Sequence, residues 1–275
     1  MIKHITVSKI LLYLVLLILA VAVLYPLFFL LLSSIKTNND VIMNPFGIKS
    51  AHFGNYADAW NKGRVQQYFW NSVIVTVITM ALQVVIISLT SYSFGKLKPW
   101  GHNVMMGVVL MMMFVTSEMT TVPVYVLLHD ANLLSTRLAL ILPYTSGGLV
   151  MGTYILTNFI RGLPKELDDA ALIDGAGIMQ IMLRVDLPLV LPSMATLIIF
   201  NFNGVWSEFY WALIAIKDDA LKTLPLGLIN FQSQFSSNYG VLSAGLTILT
   251  VPVVVIYLNF SKYFIAGITA GAVKG

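Results

Sequence analysis

The 275-residue chain contains no cysteine. That excludes a disulfide framework and every cysteine-ligated zinc or iron–sulfur site, and it says little about compartment. Histidine is also scarce: His4, His52, His102 and His129 are far apart and form no His-Glu-x-x-His pair, so no metal constellation is expected. The Gly-x-x-x-x-Gly-Lys-Ser/Thr phosphate loop is missing, so the chain has no nucleotide site of its own and no cofactor is expected on it. Charge is the largest deficit. Only 10% of the residues are charged, against about a quarter in soluble domains. The net charge of +4 and pI near 9.2 are not a nucleic-acid signature, because Lys and Arg are scattered through loops without a dense basic run.

What fills the chain instead is apolar. Hydrophobic residues make up 58% of it and the mean hydropathy is +0.84, which places it in a membrane. Crossing the hydrocarbon takes about 20 mainly apolar residues, with every backbone polar group satisfied inside the segment. Six stretches qualify, at approximately 10–35, 70–95, 103–128, 138–160, 188–216 and 240–262. The first is too long for a signal-peptide core and lacks a small-x-small cleavage site, so it reads as a retained helix. The expected fold class is an all-α membrane protein, a single transmembrane domain of six helices with a helical loop at 161–187 between the fourth and fifth. An even number of crossings puts both termini on one side. If that side is the cytoplasm, nine Lys and Arg lie inside against seven outside, a weak bias in the usual direction. Aromatic residues between Pro45 and Trp70 suggest an outer segment at headgroup depth, and the stretch from Asn230 to Phe235 a short outer helix or re-entrant piece.

The polar interruption is the sharpest feature. Eight charged residues fall between Arg161 and Asp186. Pro164 suits a first helical turn, and Glu166, Asp168 and Asp169 sit where the positive end of the macrodipole favours carboxylates. Gly175 supplies a stop. From Ala176 a second short helix is expected, with Ile178, Met179, Ile181, Met182 and Val185 forming an apolar stripe and Leu187-Pro188 ending it. Such a pair of helices either rests on lipid headgroups or presents itself to a soluble partner.

Ionisable groups inside spans are costly, which makes Glu118 and Glu208 functional candidates. Glu118 lies among Thr116, Ser117, Thr120 and Thr121, with Pro123 freeing backbone carbonyls, a composition that suits a polar pocket wall. Glu208 is surrounded by Trp206, Phe209, Tyr210 and Trp211, which suits either sugar stacking or an interfacial belt. Tyr144, Asn201 and Asn203 add further polar groups to a pathway. Two other classes use the same glutamates: a membrane-embedded enzyme with an acid–base pair, and an ion-coupled secondary transporter with proton relays. No Ser-His arrangement supports the first, and no inverted repeat is visible for the second.

The series Asp169-Ala170-Ala171, Asp174-Gly175-Ala176, Leu187-Pro188 and Pro192 resembles the Glu-Ala-Ala loop of permease subunits in binding-protein-dependent ABC importers. Tyr25-Pro26-Leu27, Ser33-Ser34-Ile35-Lys36-Thr37, Phe53-Gly54-Asn55-Tyr56 with Trp60, Trp206-Ser207-Glu208-Phe209, Thr223-Leu224-Pro225-Leu226-Gly227-Leu228 and the tail 267–275 extend the resemblance to the maltose-type sugar permeases, and within them to the smaller subunit. Asp169 stands where that family usually has Glu, which shortens the carboxylate arm, and Ser207 where it often has Asn. The resemblance implies a bacterial inner-membrane subunit that pairs with a homologous permease, a cytosolic ABC ATPase dimer carrying ATP and Mg, and an extracytoplasmic sugar-binding protein. It implies that Glu166, Asp168, Asp169, Ala170, Ala171, Asp174, Gly175, Ala176 and Pro188 couple to the ATPase, with Lys274 near the same interface.

Overall fold

The computed structural model describes the backbone of residues 7–234 and 238–272, and the side chains of residue 9, 11–229 and 238–260. Lys274 and the end of the amide stretch at Phe235 lie outside the described residues. The order is α1 (Val7–Ser34), α2 (Asn38–Met43), α3 (Gly54–Asn61), α4 (Val65–Tyr92), a π turn (Ser93–Leu97), α5 (His102–Met112), α6 (Ser117–Asp130), α7 (Leu138–Arg161), α8 (Lys165–Ile173), α9 (Ile178–Ile181), a second π turn (Met182–Asp186), α10 (Leu187–Trp206), α11 (Tyr210–Ala215), α12 (Leu224–Gln234) and α13 (Tyr239–Ala272). No strand occurs among the described residues, which carry a single isolated bridge between Lys36 and Ala51.

Among the described residues, five helical stretches are long and apolar enough to span a bilayer: Leu11–Ser34, Val65–Leu97, Leu138–Arg161, Ile178–Trp206 and Tyr239–Phe260. The stretch expected at 103–128 is not one straight helix, because α5 and α6 meet at 101°. Bonds of the i+3 type at Met113, Phe114 and Val115 tighten the end of α5, and Thr116 is extended, which turns the chain before α6 starts. The helix expected to stop at Leu187-Pro188 also differs, since α9, the π turn and α10 form one continuous span. Pro188 has no N–H to donate, and the wider π turn just before it accommodates the missing bond without a break. The span then ends at Trp206, short of the expected 216.

The chain separates into two units, Met1–Gln67 with Gly227–Val251, and Tyr68–Leu226 with Pro252–Gly275. In the first, the turn after α1 is tied by side chains. Lys36 is fully buried, and its ammonium donates to the carbonyls of Asn44 (2.8 Å) and Pro45 (3.0 Å), just past the end of α2, where carbonyls lack helical partners. Asp40 accepts from Asn44 Nδ2 (2.8 Å) and the Lys49 N–H (3.0 Å). Those two bonds hold its carboxyl below the ordinary carboxylate range, the Asn44 bond contributing most. Asn55 Nδ2 donates to Ser34 O (2.9 Å) and Lys36 O (2.7 Å), and Tyr56 shares a 2.7 Å hydroxyl bond with Ser34. Two of the motif segments quoted above are thereby joined. Gly240 sits against this knot, where a Cβ would stand 2.4 Å from Lys36 O and 2.7 Å from Asn55 Nδ2. Because a backbone oxygen blocks the space, Gly240→Ala is expected to destabilise the protein by about 1–3 kcal/mol, read as a lower melting temperature of the detergent-solubilised protein.

In the second unit, contacts between α4 and α7 climb together: Arg137 donates to Asn71 Oδ1, Gln83 Nε2 to Tyr144 O and Thr145 O, Ser91 Oγ to Thr153 O and Arg161 to Phe94 O. The two helices are parallel. The chain therefore leaves α4 at one end and enters α7 at the other, and the 24 residues of α7 separate those ends by about 36 Å at 1.5 Å per residue. The bent pair α5 and α6 must carry the chain back between them, so it is a broken crossing, not a loop that returns to its starting face. Helix α10 runs antiparallel to both, with Asp186 beside Lys96 and Trp206 edge-on to Phe69 at 5.8 Å. One apolar cluster joins Ile87, Tyr92, Leu156, Ile160, Met182, Val190, Met194 and Leu197. A second, built on Val75, Leu128, Leu140, Ile141, Trp211 and Ala215, seats α11.

Candidate functional site

The polar loop folds as a helix, a glycine stop and a second helix. Pro164 is the N-cap of α8, and Glu166 and Asp168 lie in its first turn. At the other end the Gly175 N–H donates to Leu172 O (3.0 Å) and the Ala176 N–H to Ala171 O (2.9 Å). This is the paired closure of a Schellman motif, and it needs a left-handed residue at the first position past the cap. Gly175 adopts φ +81°. Gly177 caps α9, with its N–H donating to Gln180 Oε1 at 3.0 Å.

The expected apolar stripe divides into two faces. Ile181 and Met182 are buried against the span, while Leu172, Ile173, Ile178, Met179 and Leu183 are exposed, Ile173 by 87%. Glu166, Asp169, Ala170, Asp174, Gly175 and Pro188 are also exposed, and Ala171 and Ala176 are half-buried. The loop therefore offers acidic and apolar groups together on one accessible surface. Asp168 is the exception among its carboxylates: it accepts from Lys96 Nζ at 2.7 Å. The ammonium also lies 3.6 Å from Asp186. Lys96 and Asp186 were not among the sequence-derived site residues. Lys96 reads as an ordinary loop cation from sequence, and only its position at the end of a span that stays helical to Leu97 marks it out.

The pathway candidates do not form one constellation. Glu118 is exposed in the first turn of α6, a position at which the helix dipole by itself favours a carboxylate. Asn203 is exposed on α10, and Asn201 lines a narrow cleft with Met80, Gln83, Ile87, Met194 and Leu197. Gly148 lets that cleft close, since a Cβ there would stand 2.3 Å from Gln83 Nε2 and 2.7 Å from Asn201 Nδ2. Gln83, a buried amide in mid-span, is a polar residue that sequence reasoning missed, although an amide in the middle of an apolar run is itself a signal.

Tyr144 and Glu208 do meet. The phenol donates to Glu208 Oε2, and the same carboxylate accepts from the backbone N–H groups of Trp211 (2.6 Å) and Ala212 (3.2 Å). Nearby, Pro143 cannot bond the Ala139 carbonyl one turn back, and the Trp211 indole N–H fills that acceptor at 2.8 Å. Glu208 therefore closes the break between α10 and α11 and fastens α11 to α7.

Residues 3–269 match the family described as the binding-protein-dependent transport system inner membrane component. The chain belongs to that permease family. The probable ABC transporter permease protein YurM of Bacillus subtilis (strain 168) is 33% identical over 256 residues, covering 93% of this chain and 85% of the relative. The arabinooligosaccharides transport system permease protein AraQ of the same organism is 30% identical over 275 residues, covering 98% and 97%. Among solved structures, a chain from a bacterial ABC transporter involved in the import of the acidic polysaccharide alginate superposes with a TM-score of 0.79 at 20% identity, covering 95% of this chain and 99% of that one. At that identity the likeness establishes the permease fold. The all-helical architecture and the membership in an ABC permease family agree with the sequence reading. The 161–187 loop carries Asp169-Ala170-Ala171 and Asp174-Gly175-Ala176.

Proposed function

We propose that the chain is the translocation-pathway subunit of an ATP-driven importer for a sugar or oligosaccharide. It would pair with a homologous permease, a cytosolic ATPase dimer that holds ATP and Mg, and an extracytoplasmic sugar-binding protein. Both termini and the 161–187 loop face the cytoplasm of a bacterial inner membrane. The carrying observation is the loop itself, a Schellman-closed helix pair with exposed carboxylates and apolar side chains at one end of parallel helices α4 and α7. Those carboxylates are placed to accept charge-assisted bonds from an ATPase cleft, and Ala170 and Gly175 allow close approach. Movement of the loop is passed to the spans as rigid elements, which suits alternation between inward- and outward-open states. Sugar as cargo is supported by the printed functions of several relatives, among them arabinooligosaccharide and diacetylchitobiose permeases. The acid–base pair of an intramembrane enzyme loses support, because Glu208 is occupied as a cap.

The membrane complex purified through this chain is expected to contain an ABC ATPase. Sugar uptake in cells or proteoliposomes is expected to stop on ATP depletion and to persist when the proton gradient is collapsed. Uptake that follows the proton gradient and ignores ATP would overturn the proposal.

A further inference from the structure

Lys96, Asp168 and Asp186 bring three elements to one point: the end of α4, the first turn of α8, and the joint between α9 and α10. The side chains of Lys96 and Asp168 are 13% and 16% exposed, and that of Asp186 is fully buried. One cation serves two carboxylates. Its ammonium is bonded to Asp168 at 2.7 Å and stops 3.6 Å from Asp186. Asp186 meets the ammonium only at this longer distance and lies against the carboxyl of Asp168. Two carboxyls held out of solvent around one ammonium make a costly arrangement that apolar packing would improve on, so their presence calls for a role other than stability.

The backbone around the cluster points to that role. Lys96 sits in one π turn, Ser93–Leu97, and Asp186 in the other, Met182–Asp186. Single π turns are places where a helix can change register locally, and they concentrate at functional sites. The first is also gripped from α7, by Arg161 donating to Phe94 O at 3.3 Å. Gly95 lies so close to Ile160 that a Cβ would stand 2.7 Å from its Cγ2. A displacement of α8 therefore pulls on Lys96, while Asp186, 3.6 Å from the ammonium, offers it a second seat.

Resting on the importer reading above, we infer that Lys96 is a positioning residue that links motion of the coupling helix α8 to α4 and α10. It does so by passing its ammonium from Asp168 to Asp186 during the transport cycle. The two π turns take up the accompanying change in helix register. Lys96 touches neither the cargo nor nucleotide; it acts by deciding which helix the loop pulls.

The test uses the assembled importer in proteoliposomes with its binding protein, measuring ATP hydrolysed and sugar transported in the same preparation. Asp186→Asn keeps the shape and one acceptor oxygen but removes the charge of the second seat. Asp186→Leu removes the second carboxylate altogether and leaves Lys96 its bond to Asp168. Both variants are expected to lower transport about tenfold while hydrolysis stays within about twofold, so that ATP used per sugar rises about tenfold. Lys96→Arg, which keeps the charge and can reach both carboxylates, is expected to retain the wild-type ratio to within about twofold. A merely structural cluster predicts a lower melting temperature with the wild-type ratio of ATP to sugar, and a wild-type ratio in both Asp186 variants, whatever their melting temperatures, overturns the inference. Failure of the wild-type chain to copurify with an ATPase sinks the importer reading instead, so the two failures are distinguishable.

Discussion

Gly175→Asp is expected to abolish uptake while the chain still inserts in the membrane. The structure separates the two effects. A Cβ at Gly175 meets nothing within 4 Å, so no clash threatens the fold. The backbone cost of a left-handed L-residue is about 1–2 kcal/mol, and Asp is among the residues that visit that region. Helix α8 and its Schellman closure should survive. The side chain would instead project from the accessible surface of the loop, adding a carboxylate beside Asp174 where the proposal places the ATPase. A misplaced charge at a close-packed interface costs several kcal/mol, which corresponds to a loss of about a hundredfold or more. Gly175→Ala, small and neutral, pays a similar backbone cost and should keep a measurable part of the uptake. Membrane-fraction immunoblots establish insertion, and uptake of the sugar held by the binding protein reads function. Normal transport by Gly175→Asp would remove the docking role from this loop.

Much of the architecture was legible because membrane spans are dictated by length and apolarity, which sequence displays directly. The run from Ile10 onward has no alternative to a helix, because lipid offers its backbone no other partner. The glycine stop after α8 was equally readable, since the demand for a left-handed residue is local. What sequence concealed was long-range geometry. Hydropathy averages over a window, so Asn103 to Leu128 read as one apolar helix although the i+3 turns at Met113 to Val115 and the extended Thr116 divide it. Pro188 read as a stop because the π turn that accommodates it depends on packing as well as on composition. Lys96 and Gln83 were passed over for a related reason. A single polar residue near or inside a span becomes informative only when its partner is known, and the partners here are 61 to 72 residues away or more.

Glu208 carries the other large effect, and it also shows where the default reading of intramembrane charge needs geometry. Rarity of carboxylates in apolar runs made it a pathway candidate. The structure engages both oxygens: the Trp211 N–H on Oε1, and the Ala212 N–H with the Tyr144 phenol on Oε2. Gln at this position retains one acceptor oxygen and turns an NH2 group toward donors that need an acceptor. At least one backbone N–H or the phenol is then left unsatisfied, at about 1–3 kcal/mol. Glu208→Gln is therefore expected to lower the melting temperature of the solubilised protein, and Tyr144→Phe to lower it less, since Phe removes the phenol donor together with its need for a partner. Because the carboxylate is a cap and not a ligand, the concentration of sugar-loaded binding protein giving half-maximal uptake should stay within about twofold of wild type in whatever complex remains folded, as expected for a mutation that leaves binding contacts intact. The opposite pattern, an unchanged melting temperature with uptake requiring about tenfold or more loaded binding protein, would return Glu208 to the translocation pathway.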